Sequence, residues 1–338
     1  MPSWRTKVMQ AGRPLARMIW FAALVLVYPH EAGSRADRMN LFPKLQAGQT
    51  ITYEISYQSE KQTNTQSSVF LAEAPPTANF EVRTLLRLEV LSVQAQRERS
   101  SIHARARLAS RDSGTTTPTP NAEPPPDRTQ PKDPEEVSVE FTILPDGRID
   151  QVKGLETLLP EHQQAWQEWA SRFAVAAMFP ENGVRVAQKW KTEEPQTAPS
   201  PIAGLSWVRE STYMRNAPCR SAQLTTQGDV VESYQPPDTC AVIFTAATLK
   251  QQSSPKDATP EDFKLHQLRT TGTARGTNNT ISYISLKTRL VVRATEDASQ
   301  SMGVTIAKSD GSNRVHYDVS AKSRSEILLV AEVPSNRP

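Results

Sequence analysis

Apolar and polar residues alternate one by one along much of this chain. That period of two is typical of β-strands with one buried and one wet face, as in antiparallel sheets. The first run is ITYEISY at residues 51–57, in which every second residue is large and apolar. Alternation continues at 80–90, 102–108 and 137–143. Further segments that indicate strands lie at 184–190, 205–207, 240–248, 265–274, 280–286, 290–294, 302–306, 315–319 and 327–333. Turn-type pairs separate some of them: Asp146-Gly147, Asn278-Asn279 and Asp310-Gly311. The sequence predicts a mainly β (α+β) fold, a curved antiparallel sheet or open barrel of about twelve strands.

One segment has a helical period instead. Between Glu161 and Phe179 the apolar residues recur at the i, i+3, i+4 and i+7 spacing of an amphipathic helix. They are Trp166, Trp169, Ala170, Phe173 and Ala177. Pro160 suits a first helical turn, and Pro180 is expected to stop the helix. A stripe this rich in aromatic residues needs a large apolar partner, and the dry face of the sheet is the expected one.

Residues 110–136 differ in composition from the rest. The stretch holds seven prolines, several threonines and no large apolar residue. Such a segment buries too little surface to offset the entropy of ordering it. We expect a disordered Pro/Thr-rich insertion inside a single β-rich domain that spans residues 37–338.

The first thirty-six residues have the order of a secretory signal. Basic residues precede an uncharged apolar run at 18–28, and Ser34-Arg35-Ala36 offers small residues at positions −3 and −1 of a cleavage site. An apolar core of this length is too short to cross a bilayer of about 30 Å. The pattern predicts a cleaved signal at 1–36 and export to the periplasm or the extracellular space. The alternative is an uncleaved N-terminal membrane anchor, and either way only this segment would contact the membrane.

Export would also remove the apparent basicity of the chain. The whole sequence has 39 Lys and Arg against 36 Asp and Glu. Residues 1–36 contain five of the basic residues and one acidic residue, which leaves 34 against 35. A nucleic-acid-binding protein would need a basic face, and no dense Lys/Arg cluster remains after processing. Nucleic acid is therefore excluded as an expected partner.

Two cysteines, Cys219 and Cys240, are the only ones in the chain. In an oxidising compartment such a pair is expected to form a disulfide, although two free thiols remain the alternative. In the chain-entropy model, a bridge of this span stabilises the folded state by about 3 kcal/mol. The spacing does not match the C-x-x-C of redox motifs.

No standard catalytic motif is present. The sequence has no G-x-S-x-G, H-E-x-x-H, P-loop or dinucleotide-binding glycine pattern. His103 and His316 fall among the polar residues of their strands, which favours a wet-face role over metal binding or base catalysis. We therefore expect a protein that is not an enzyme, with no cofactor and no metal site.

Four aromatic residues are the candidates for a ligand site. Trp166, Trp169, Phe173 and Trp207 either fill a core, as most buried tryptophans do, or line an apolar pocket between sheet and helix. The second interpretation depends on a curved sheet that does not close completely against a single helix.

Several local patterns resemble exported bacterial proteins of the lipoprotein-carrier (LolA-like) architecture. They are Phe141-Thr-Ile-Leu-Pro-Asp-Gly147, Phe179-Pro180 followed by Val186 and Trp190, and Ile281–Leu286 leading to Leu290. The resemblance spans about residues 45–333, interrupted by the insertion. It implies an open barrel around a helix that handles a hydrophobic ligand in the envelope, but it transfers no functional residue.

The sequence therefore predicts an exported, non-enzymatic β-rich envelope protein that binds a hydrophobic small molecule or lipid between sheet and helix. The alternative is a structural or protein-interaction domain with a filled core and no ligand. Oligomeric state is left open.

Overall fold

A computed structural model describes residues 38–67, 77–96, 99–112, 138–145, 147–177, 179–180, 182–196, 200–224, 230–233 and 238–331. The chain divides into two compact units, 1–37 and 38–338, and every described residue belongs to the second. The predicted signal at 1–36 lies outside the described residues. So does the predicted insertion, apart from residues 110–112 at the end of a strand.

The described residues form one antiparallel sheet that does not close on itself. Its strand order is β5-β4-β3-β2-β1-β13-β12-β11-β10-β7-β6, and a β8–β9 hairpin joins the end of β13 by a short parallel contact. The strands are β1 (Thr50–Ser67), β2 (Thr77–Gln96), β3 (Arg99–Asp112), β4 (Ser138–Ile143), β5 (Ile149–Lys153), β6 (Lys189–Pro195), β7 (Leu205–Pro218), β8 (Ser221–Leu224), β9 (Val230–Ser233), β10 (Thr239–Gln251), β11 (Leu268–Ser285), β12 (Val291–Lys308) and β13 (Val315–Ala331). The prediction of a mainly β, antiparallel fold is confirmed.

The described ranges contain two α-helices beside the sheet, where one was expected. The helix α1 spans Pro160–Ala177, close to the predicted 161–179. The helix α2, Glu261–Leu265, is a single turn in the β10–β11 connection. Because α2 is so short, its sequence carries no amphipathic period that could have revealed it.

The prediction of a turn at Asn278-Asn279 is wrong, because β11 runs through both residues. Asn278 is 8% exposed, and its side-chain oxygen accepts a hydrogen bond from Thr280 Oγ1 at 3.0 Å. Strands β10 and β12 pair with β11 on its two sides at this level. Ladder pairing on both edges outweighs the turn preference of asparagine. The same holds where β12 and β13 continue through the polar stretches 295–301 and 320–326.

We call the face of the sheet that carries α1 the inner face and the opposite one the outer face. Tyr53, Ile55 and Leu86 of the inner face pack with the apolar stripe of α1 in the largest core cluster. A second inner-face cluster includes Tyr213 and Ile243, nearer the β6 end of the sheet. The alternating pattern of the sequence thus corresponds to burial on this face.

A buried polar row crosses the inner face between apolar clusters. Strand pairing places Ser211, Thr245, Thr280, Glu296 and Ser325 next to one another on five successive strands. All five are less than 9% exposed. Hydrogen bonds link Ser211 to Thr245 at 2.8 Å and Thr280 to Glu296 at 2.8 Å. Since buried polar groups are tolerated when they are hydrogen-bonded, the row can form part of the interior.

Candidate functional site

An aromatic cluster lies where α1 meets the sheet. Trp169 is 1% exposed and stacks on Phe173 with ring centroids 5.1 Å apart. Phe141, from the adjoining part of the sheet, meets Trp166 at 5.9 Å and Trp169 at 5.5 Å, both edge to face. Tyr53 completes the set, 6.3 Å from Trp169. We call these five residues the aromatic cluster; such ring pairs add about 0.5–1.5 kcal/mol each beyond the area they bury.

The structure brings three of the four predicted ligand residues together. Trp166, Trp169 and Phe173 all belong to the aromatic cluster. Trp207 lies in a different apolar group, with Leu249 and Met302. A Cβ at Gly276 would come within 2.9 Å of Trp207 Cη2, so the glycine makes room for this indole on the sheet. Trp207 is thus apart from the other three.

Tyr53 and Phe141 are members of the cluster that the sequence reasoning did not select. Both were recognisable as inner-face residues, because each occupies an apolar position of an alternating strand. What the sequence lacks is the pairing order, which places β1 and β4 under the same helix although they are separated by β2 and β3.

Two polar atoms in the aromatic cluster have no hydrogen-bond partner among the described residues. They are the phenol oxygen of Tyr53 and Nε1 of Trp166, and both are buried. Burial raises the pKa of Tyr53 well above its usual value, so the phenol stays protonated. Each group therefore presents a hydrogen that it cannot give to water. An unmet donor of this kind costs about 1–3 kcal/mol.

Two open grooves lie elsewhere, in the middle of the long strands. Their volumes are about 700 and 780 Å³, and mostly polar residues of the outer face line them. The first includes Glu60, Glu81 and Arg324, and the second includes Arg275 and Asp318. None of the predicted ligand residues lines either groove.

The outer face also carries a hydroxyl, imidazole and carboxylate in sequence. His316 Nδ1 lies 2.9 Å from Thr305 Oγ1, and its Nε2 lies 3.2 Å from Asp318 Oδ2. The order resembles a catalytic relay. However, the Asp318 side chain is 55% exposed. A cross-strand pair on a wet face gives the same contacts, and the arrangement indicates no reaction by itself.

His103 has a similar wet-face setting on β3. Its Nε2 lies 3.9 Å from Glu140 Oε2, and Arg105 Nη2 lies 2.7 Å from Glu140 Oε1. The hydrogen bond from Arg105 lowers the pKa of Glu140. This is a surface ion-pair ladder across β3 and β4, which contributes little to stability.

The predicted disulfide is confirmed. Cys219 and Cys240 are bonded, with Cα atoms 5.0 Å apart, and both side chains are buried. The bridge ties the end of β7 to the start of β10, and a disulfide of this kind fits an oxidising compartment. Among the described residues, no three or more His, Cys, Asp or Glu side chains are grouped so as to hold a metal ion. No helix in the described ranges has the length and apolar character needed to cross a membrane.

No protein-family model matches the chain, and no curated protein is significantly similar to it. The candidate site therefore depends on its own geometry.

Proposed function

We propose that this is an exported, non-enzymatic envelope protein that binds a hydrophobic molecule between α1 and the inner face of the sheet. The observation that carries the proposal is the pair of unmet donors, Tyr53 Oη and Trp166 Nε1, inside the aromatic cluster. The LolA-like resemblance of the sequence agrees with this proposal. The buried disulfide agrees with export.

The two donors define what the molecule needs. A carbonyl or carboxyl oxygen can accept a hydrogen bond from either a phenol or an indole. The apolar part of the molecule would replace some of the ring-to-ring contacts. Its burial would stabilise the complex by about 25 cal/mol per Å² of apolar surface removed from water. A fatty acid or an acyl ester has this combination. Entry requires α1 to move outward, because its rings lie directly on the sheet.

A structural or interaction domain without a ligand is the second candidate. It is favoured by the close ring packing: centroid distances of 5.1–5.9 Å between neighbouring rings are those of a filled core. Under this alternative the two unmet donors are a cost of the fold, and the protein acts through its surface.

Quenching of tryptophan fluorescence by dibromostearic acid separates the two candidates. Bromine quenches only at contact distance, so a ligand in the aromatic cluster should quench Trp166 and Trp169. We expect saturable quenching of the purified full-length protein. Trp207→Phe should keep that quenching because Trp207 lies in another cluster. Tyr53→Phe should weaken binding about 2- to 10-fold, the value of one hydrogen bond.

The contradicting outcomes are equally specific. Absence of saturable quenching at excess fatty acid would eliminate the ligand proposal and leave the filled-core candidate. Quenching that disappears in Trp207→Phe but persists in Trp166→Phe would place the ligand elsewhere.

A further inference from the structure

The outer edge of β6 has no strand partner among the described residues. β6 is the last strand in the sheet order, and it pairs only with β7 in the described part of the chain. Exposed edges invite pairing with another strand. At the other end of the sheet, β5 is protected: its pairing with β4 has a register shift, and Gln151 has a φ of 54°. The β6–β7 pairing has no such irregularity.

The hydrogen bonds to β7 show which groups of β6 point outward. The backbone N–H of Gln196 donates to the carbonyl of Leu205, and the N–H of Tyr213 donates to the carbonyl of Gln188. Both bonds belong to the same pairing register of β6 with β7. In an antiparallel pair such bonded positions alternate. The even-numbered residues of β6 therefore face β7. The odd-numbered residues Lys189, Lys191 and Glu193 present their backbone groups to the outside, and Pro195 presents only its carbonyl.

The charges of β6 change sign along the strand. Its sequence is KWKTEEP, with lysines at 189 and 191 and glutamates at 193 and 194. The Lys191 and Glu193 side chains are exposed and lie on the same face. Within one copy, Lys191 Nζ lies 3.6 Å from Glu210 Oε1, and Glu193 accepts hydrogen bonds from Ser206 Oγ at 2.8 Å and from Gln252 Nε2 at 3.4 Å. The pairing between two copies would add to these contacts. Such a strand is complementary to an antiparallel copy of itself, since the basic half of one meets the acidic half of the other.

An antiparallel pair of β6 strands must place outward backbone groups opposite each other and opposite charges opposite each other. Only one register does both. With the two-fold axis at Thr192, Lys191 faces Glu193 of the second copy, and both residues have outward backbone groups. A shift of the register by two residues either way sets Lys191 or Glu193 against itself, which is repulsive. An odd shift misaligns the outward groups.

We propose that two copies of this protein associate through antiparallel pairing of their β6 strands, with the two-fold axis at Thr192. Each Lys191–Glu193 pair across the interface exchanges both of its backbone hydrogen bonds. The two sheets then continue into one another. The interface is isologous, so it closes at the dimer and does not propagate.

The missing N–H of Pro195 and the shortness of the strand limit the strength of this dimer. A seven-residue edge gives a smaller interface than the 1,200–2,000 Å² typical of stable complexes. We therefore expect association at about 100 µM rather than at nanomolar concentration.

Sedimentation equilibrium of the full-length protein and a charge swap test the proposal. Lys191→Glu and Glu193→Lys should each weaken dimerisation about tenfold or more, because each replaces two attractive contacts by two repulsive ones. The double variant K191E/E193K should restore it. Lys264→Glu, an exposed charge on α2, is the matched control and should leave the dimer unchanged. A protein that stays monomeric up to 500 µM, or a double variant as weak as the single ones, overturns the proposal.

Cysteine substitution tests the register itself. Thr192 is the one residue of β6 that meets its own copy, at a Cα separation of about 4.5 Å for a non-hydrogen-bonded pair. Thr192→Cys should therefore form an intermolecular disulfide under mild oxidation, whereas Lys191→Cys and Glu193→Cys should not. Equal cross-linking of all three variants, or none from Thr192→Cys, contradicts the register.

Discussion

Tyr53 and Trp166 are two residues at which a buried donor without a partner lowers the stability of this fold. Large apolar side chains would fill the same space without a donor, yet each of these two carries a buried polar hydrogen with no partner among the described residues. Proteins tolerate such groups where a ligand or a function uses them. The same two groups, Tyr53 Oη and Trp166 Nε1, thus lower the stability of the fold and would bind an acceptor atom of the proposed ligand.

Removal of the Tyr53 hydroxyl should stabilise the folded protein and lower its affinity for the ligand. Tyr53→Phe keeps the ring and its contact with Trp169 and removes the unmet donor. We expect the free energy of unfolding to rise by about 1 kcal/mol, measured by urea denaturation at pH 7 without ligand. A loss of more than 1 kcal/mol would mean that the hydroxyl has a partner, and the proposed function would lose its support.

Alkaline pH gives that comparison a second readout. The folded-state pKa of Tyr53 is raised by burial. Above pH 10 the unfolded chain releases this proton and the folded chain keeps it, so stability falls by up to about 1.4 kcal/mol per pH unit. Tyr53→Phe has no phenol at this position and therefore does not lose stability in this way. Its advantage over the unsubstituted protein should be constant below pH 9 and should increase above pH 10.

At the scale of elements, α1 depends on its aromatic stripe rather than on helix propensity. We predict that Trp169→Ala lowers the free energy of unfolding by about 3–5 kcal/mol, the usual cost of deleting a buried large aromatic. Trp207→Ala should cost clearly less, because Trp207 is only partly buried and lies outside the aromatic cluster. Urea denaturation monitored by far-UV circular dichroism measures both. Equal losses would argue against a special role of the aromatic cluster.

The sequence predicted the ends of the long strands better than their middles. Alternation located β1, β2, β3 and β4, and the helical period located α1 to within two residues. β11, β12 and β13 were each divided in two, because their central residues are polar on both faces and carry no alternation. These stretches are strands because neighbours pair with them on both edges, and that long-range information is not contained in a local pattern.

The candidate site was predictable to a similar degree. Trp166, Trp169 and Phe173 share one helical stripe, so their proximity follows from the sequence. Trp207 could not be separated from them without the strand order, and Tyr53 could not be added to them. Its unmet hydroxyl depends on what surrounds the ring, which no residue pattern records.

At the scale of the whole molecule, the sheet has two different edges and a single covalent link. β5 ends one side with an irregular pairing, and β6 ends the other with a regular one. The Cys219–Cys240 disulfide stabilises the chain near the β7–β10 contact, where the β8–β9 hairpin branches from the main order. A disulfide of this kind is typical of oxidising compartments, so the state of the two cysteines tests the prediction of export.

This connection predicts a difference between two routes of expression. The full-length chain, if residues 1–36 direct export, should yield a protein with no reactive thiol in denaturant. The chain without residues 1–36, retained in a reducing cytoplasm, should titrate with both Cys219 and Cys240 free. The free energy of unfolding of the reduced protein should be lower by about 3 kcal/mol, because without the bridge its denatured state regains conformational entropy. Cys219→Ser/Cys240→Ser should match the reduced protein by either route. Two free thiols in the full-length product would contradict the export prediction, and a bridged protein that is no more stable than the serine variant would contradict the stabilising role of the disulfide.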